Sequence, residues 1–172
     1  MPEQYLEKTI YENPDTDTSG HYADMMMLGC VDFRLWEDTA ACLKQLGVTA
    51  DLRLTEGSVC YLCGHKHGLP DLQQGSIDWI KGLRRLHGFS VLGLMIHDQC
   101  GAYKAAPALA GLSAEQVEAV QLADLAEASG LITAAIPDLR IRMFRMILNQ
   151  SGRGVKVVEL ELAASGQRAA AA

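Results

Sequence analysis

Two short motifs carry the side chains best suited to chemistry. Cys30-Val31-Asp32-Phe33-Arg34 supplies a thiol, a carboxylate and a guanidinium, and His97-Asp98-Gln99-Cys100-Gly101 supplies an imidazole and a second thiol. Two thiolates and one imidazole make a three-ligand set for zinc. That set leaves one tetrahedral position open, as catalytic sites do, whereas structural sites are normally closed by four protein ligands. The His-x-x-Cys spacing lets both side chains turn inward from one tight loop, and Gly101 frees the backbone there. Asp32 and Arg34 are two apart, so in extended backbone they project to the same side. A carboxylate beside a metal-bound water can accept its proton in a hydrogen bond, and Arg34 can hold that carboxylate with paired donors and keep it ionised. Two plainer readings compete with the open site. Either these Cys and His side chains are merely packed at strand ends, or a structural zinc is closed by Asp32 as fourth ligand.

The elements that must bring the motifs together can be read from apolar spacing. Met25 to Cys30 and Phe89 to Ile96 are short apolar runs with the look of buried strands, and each motif begins where its run ends. Val48 to Leu54 suits a further strand, and Leu139 to Leu148 and Val155 to Leu162 a closing pair. Helical spacing falls over Leu35 to Leu46, with Gly47 as its cap, and over Ser76 to Leu86, with Ser76 as its N-cap. Ser113-Ala114-Glu115-Gln116 is a capping box ahead of Val117, Val120, Leu122 and Leu125. Arg140, Arg142 and Arg145 read as the solvated face of the fourth strand. The alternation predicts an α/β fold with a mostly parallel sheet and the last strand added antiparallel. If the second and third strands flank the first, both motifs meet at the topological switch point, where open α/β sheets bind ligands.

Cys-x-Asp-x-Arg followed by His-x-x-Cys-Gly resembles the β-class carbonic anhydrases, over roughly Met25 to Ala102. His97 to Tyr103 also resembles a short, divergent branch of that family. The resemblance implies a sheet of order about 2-1-3-4 plus an antiparallel edge strand, flanked by helices. It implies one zinc on Cys30, His97 and Cys100, with the catalytic dyad Asp32 and Arg34 ordering the zinc-bound water. The implied activity is that of a zinc lyase: reversible hydration of CO₂ to bicarbonate. The alternatives are a non-catalytic zinc-binding module of the same fold, or a related COS or CS₂ hydrolase, to which Phe33 lends weight. The family also implies a homodimer or higher homo-oligomer. The chain departs from the usual pattern at Phe33, where Ser or Ala is typical, and at Ile96, where Gly is usual. Only Gly57 is left to match an Asn-Ala-Gly-type segment after the second strand.

Cys60, Cys63, His65 and His67 form a second cluster in the Gly-rich stretch from Thr55 to Gln74. It suits a second metal, or a histidine proton relay, but the adopted reading is a flexible loop with incidental ligands. Cys42 reads as a buried small hydrophobe, Tyr103 as packing, and His21 and His87 as surface or helix-end residues. The 172 residues suggest one zinc-binding α/β domain over 21–162, with a polar arm at 1–20 and a disordered tail at 163–172. A net charge of −6 without a basic stripe argues against nucleic acid, and no apolar run is long enough for a membrane. Five cysteines, an odd count, and an acidic N-terminus without a leader-like apolar core point to the cytoplasm.

Overall fold

Met25–Cys30 forms β1 and Val91–His97 forms β3, and every residue of both is buried except the half-buried Cys30. Near-continuous burial is what a parallel strand covered on both faces requires. The computed structural model describes residues 13, 14, 20–149, 151 and 153–161. Most of the expected arm and all of the expected tail lie outside the described residues. The other elements are α1 (Trp36–Gln45), β2 (Ala50–Thr55), α2 (Gln73–His87), α3 (Gly101–Ala105), α4 (Ala114–Ala135), β4 (Arg140–Leu148) and β5 (Val155–Leu160). The sheet runs β2-β1-β3-β4-β5. The first four strands are parallel and β5 is antiparallel to β4, as expected.

Strand parity divides the core. Met26, Leu28, Leu92, Leu94 and Ile96 face α2 and α4 and pack against Ile80, Leu83, Leu125, Ala128 and Ile132. Met25, Met27, Met95, Phe144 and Met146 point the other way, toward Leu35 and Leu43 beside and on α1. The capping box at Ser113 forms as read: its hydroxyl accepts from Gln116 N–H, and the Gln116 side chain accepts from Ser113 N–H at 2.8 Å. Gly47 and Gly88, both left-handed, end α1 and α2.

Several local expectations change. α2 starts three residues before Ser76, which lies inside its first turn. Its N-cap is Leu72, which offers no side-chain cap, and Asp71 just before it accepts from Gln73 N–H at 3.1 Å. The stretch from Thr55 is packed, with 3-10 turns at Ser58–Tyr61 and Gly64–His67 and with Val59, Cys60, Leu62, Cys63 and His67 buried. Val59, Leu62 and Cys63 have helical spacing, and they insert into the core between the sheet and α4. Cys42 is only half-buried. Leu122 is exposed, because the buried face of α4 runs through Gln121, Asp124, Leu125 and Ala128. Of the three arginines on β4, only Arg140 is solvated. Arg142 pairs with Glu159 at 2.7 Å and covers the Phe144 ring. Arg145, on the opposite face, is drawn to Asp98 and Glu118.

Candidate metal centre

β1 and β3 lie side by side in parallel register, Leu28 opposite Leu94, so their carboxyl ends deliver Cys30 and His97 to the same place. β2 and β3 flank β1, which makes this the switch point of the sheet. Cys100 arrives from the loop after β3. The Cys30, His97 and Cys100 ligand atoms all lie within 4.8 Å of one another, and the two sulfurs are 4.0 Å apart. Tetrahedral zinc with Zn–S near 2.3 Å needs sulfurs about 3.8 Å apart, so the spacing suits that ion. The imidazole is also prepared. His97 Nδ1 bonds the Asp98 carbonyl at 2.8 Å, which makes Nδ1 the donor and leaves the lone pair on Nε2. That Nε2 is buried and makes no hydrogen bond. An orphaned buried nitrogen beside two thiols is what a metal site looks like without its ion.

The two thiols share a proton. Cys30 is pulled down to about 4, first because Cys100 donates to it and then because His97 and the N–H groups of Asp32 and Gly57 face its sulfur. Cys100 is pushed up by the same shared proton and by burial, although the Ala102 and Tyr103 N–H groups face it. Burial opposes the His97 imidazolium, but the Cys30 thiolate outweighs it and raises the pKa. Gly57 is required here. Its φ is +68°, and a Cβ would stand 2.7 Å from both Ala102 Cβ and Cys60 Cβ.

Asp32 and Arg34 pair at the lip of the cluster. Asp32 caps the 3-10 turn Phe33–Leu35, accepting from Arg34 N–H at 3.2 Å. Arg34 Nε donates to Oδ1 at 2.9 Å and Nη2 to Oδ2 at 2.6 Å, a two-pronged grip. Hydrogen bonds from Arg34 hold the Asp32 carboxyl below its usual range. Asp32 is not part of the three-atom cluster. An open, largely apolar cleft of about 390 Å³ adjoins it, lined by Cys30, Val31, Asp32, Glu56, Leu69 and Ala105 among others. Phe33, next to Asp32 in the chain, stands 75% exposed.

The second motif is not assembled into a metal site. Among the described residues, Cys30, His97 and Cys100 form the one group of three or more candidate ligands. Cys63 faces the sheet core, Cys60 packs near Cys100, and His65 is exposed. Burial pushes the Cys60 and Cys63 thiols up to about 12 and about 11. His67 Nε2 bonds Asp124 Oδ2 at 2.6 Å, and Tyr103, fully buried, donates to the same oxygen at 3.0 Å. His87 ends α2 and bonds Asp51. Sequence reasoning passed over Gln121 and Asp124 and set Arg145 on a solvated face, whereas it pairs with Asp98 and Glu118. The available signal was two polar residues, Gln121 and Asp124, on the helical face that also carries Val117, Val120, Leu125 and Ala128.

The sheet order, the switch-point location and the Cys/His/Cys cluster define the class: a divergent protein with the β-carbonic anhydrase fold. The β-carbonic anhydrase CafA of Aspergillus fumigatus superposes with a TM-score of 0.55 at 17% identity, over 84% of this chain and 78% of that one, which shows the fold. No protein-family model matches the chain. An uncharacterized protein of Rickettsia bellii is 30% identical over 130 residues, 74% of this chain and 78% of that protein. Another, of Rickettsia conorii, is 30% identical over 130 residues and is covered to 69%. The chain belongs to the family of these rickettsial proteins.

Proposed function

We propose that the chain catalyses zinc-dependent, reversible hydration of CO₂ to bicarbonate, with Cys30, His97 and Cys100 as ligands and Asp32 and Arg34 as the catalytic dyad. The observation that carries this reading is the grip of Arg34 on Asp32, which keeps the carboxylate out of the ligand cluster. Three ligands then leave a position for a small molecule. Zinc bound there supplies Lewis acidity, bringing the pKa of water toward neutrality. The N–H groups facing the two sulfurs draw off thiolate charge that would otherwise weaken that acidity. Asp32, kept ionised by Arg34, is an acceptor on the cleft side of Cys30 and can orient a water and take up its hydrogen bond. Val31, Leu69 and Ala105 give the cleft walls suited to a small uncharged substrate.

The same apolar cleft and exposed Phe33 support COS or CS₂ as a second substrate class. The rival is a zinc module of this fold without turnover. Val31, Phe33 and Trp36, exposed over the six residues that follow Cys30, support a homodimer or larger assembly. Five free cysteines support a reducing, cytoplasmic setting. No helix among the described residues is long and apolar enough to cross a membrane. The test is stopped-flow CO₂ hydration by zinc-loaded protein from pH 6 to 9. Asp32→Asn should keep its zinc and lose ~10²-fold or more in turnover. Zinc-replete wild type without hydration would leave the non-catalytic module as the better account.

A further inference from the structure

Two polar side chains are sunk into the apolar face of α4: Gln121 at 4% exposure and Asp124 at 2%. They are three residues apart, hence on one face. Burying an amide and a carboxylate is unfavourable unless each is matched by partners. Here each partner leads to one end of the His97–Cys100 loop. Gln121 Nε2 donates to the His97 carbonyl at 3.0 Å. Asp124 accepts from the Tyr103 hydroxyl, and Tyr103 sits in α3, the helix that Cys100 begins as its N-cap. α3, which carries Tyr103, has five residues, too few to hold its own shape. Its anchor is the 22-residue α4 with its capping box. His67 supplies the second hydrogen bond to Asp124 and packs its ring 6.0 Å from that of Tyr103. Lys66 pairs with Glu127 on the same helix.

We propose that Gln121 and Asp124 are positioning residues for the metal loop: they set the separation of the His97 and Cys100 ligand atoms, with Tyr103 and His67 as the links to Asp124. This gives His67 a place as a brace, not a ligand. The inference rests on the reading of Cys30, His97 and Cys100 as metal ligands. It is tested on the full chain with Zn²⁺ by chelator competition and with Co²⁺ by its thiolate charge-transfer absorption. Gln121→Leu, Asp124→Leu and the single-atom deletion Tyr103→Phe should each weaken zinc binding about 10-fold or more and alter the cobalt spectrum, the scale of losing an outer-shell support. Asp124→Asn retains an acceptor oxygen and should recover most of the affinity. If Asp124→Leu does not fold, Gln121→Leu and Tyr103→Phe carry the test. Unchanged affinity and spectrum in those two, with only a lower thermal midpoint, would show a mere staple and overturn the proposal. Wild type that takes up neither metal would overturn it together with the ligand reading. Metal uptake by wild type and variants alike would sink the positioning role alone.

Discussion

Cys30 sits on a lip half open to solvent, whereas His97 and Cys100, at 3% and 2% exposure, reach the same cluster from inside the fold. The outer side is made largely by sequence neighbours: Asp32 caps the turn that follows Cys30 and is gripped by Arg34 two residues on. The inner side is made by distant partners. His97 is held through Gln121, Cys100 through Tyr103 and Asp124, and Asp98 through Arg145 on β4 at 2.8 Å, with Leu148 N–H adding 3.3 Å. A local pair can reorient without unfolding anything; a buried network cannot. The outer side is therefore where chemistry can be adjusted, and the inner side is where the ligand geometry is fixed.

The largest break in this comparison comes from removing a ligand on the inner side. Cys100→Ser should take zinc from about one per chain to near none, because the remaining thiol and imidazole leave the tetrahedral set too small. Cys60→Ser, beside it in the same apolar cluster, should leave the content at about one. Metal analysis of the two purified proteins decides. Full occupancy in Cys100→Ser would remove that ligand, and loss in Cys60→Ser would add one.

What was legible in the sequence follows the same division. The strand order and the capping box at Ser113 depend on apolar periodicity or on spacing within a few residues, and both appear as read; Asp32 and Arg34 do pair, but across a 3-10 turn that Asp32 caps and not along extended backbone. Arg145 was misplaced because a charged residue on an alternating strand looks solvent-facing until its partners, Asp98 and Glu118, are brought to it by β3 and α4. Gln121 and Asp124 were passed over because two polar residues on an apolar helical face are a weak signal until their distant partners, the His97 carbonyl and the Tyr103 hydroxyl, are in place. The stretch around Cys60 and Cys63 looked like a loop because Gly64 and Gly68 interrupt it. Its spacing at Val59, Leu62 and Cys63 was helical, but over too short a span to stand out.

A second test sharpens the contrast through protonation. In metal-free protein Cys30 lies at about 4, so it is thiolate above that pH and thiol below it; Cys100 is raised and keeps the shared proton. Since the thiolate is the nucleophile, iodoacetamide should label Cys30 ahead of the buried Cys100. Its rate should hold level from neutral pH downward and fall only as pH approaches about 4. Peptide mapping across pH gives the profile. Preferential labelling of Cys100, or a Cys30 rate that already falls below pH 8, would reverse the assignment of outer and inner thiols.

The smallest expected effect lies between the two ligands of the inner side. Gln99 has φ +58°, and with Ser58 at +55° it is one of two described non-glycine residues in the left-handed region, both beside the cluster. A side chain in that conformation costs about 1–2 kcal/mol relative to the right-handed region. Glycine relieves that strain but adds freedom to the unfolded chain worth about 0.4–1 kcal/mol. Gln99→Gly should therefore raise stability by no more than about 1.6 kcal/mol. If α4 and Arg145 hold the loop from its ends, the identity of its exposed midpoint should matter little to the metal. Zinc affinity in Gln99→Gly should then stay within about threefold of wild type, well short of the change that follows loss of an outer-shell support. Urea unfolding and chelator competition on the same variant separate the two quantities. A tenfold loss of zinc affinity at unchanged or higher stability would mean that the strained midpoint, and not the grip of α4, presets the distance between His97 and Cys100.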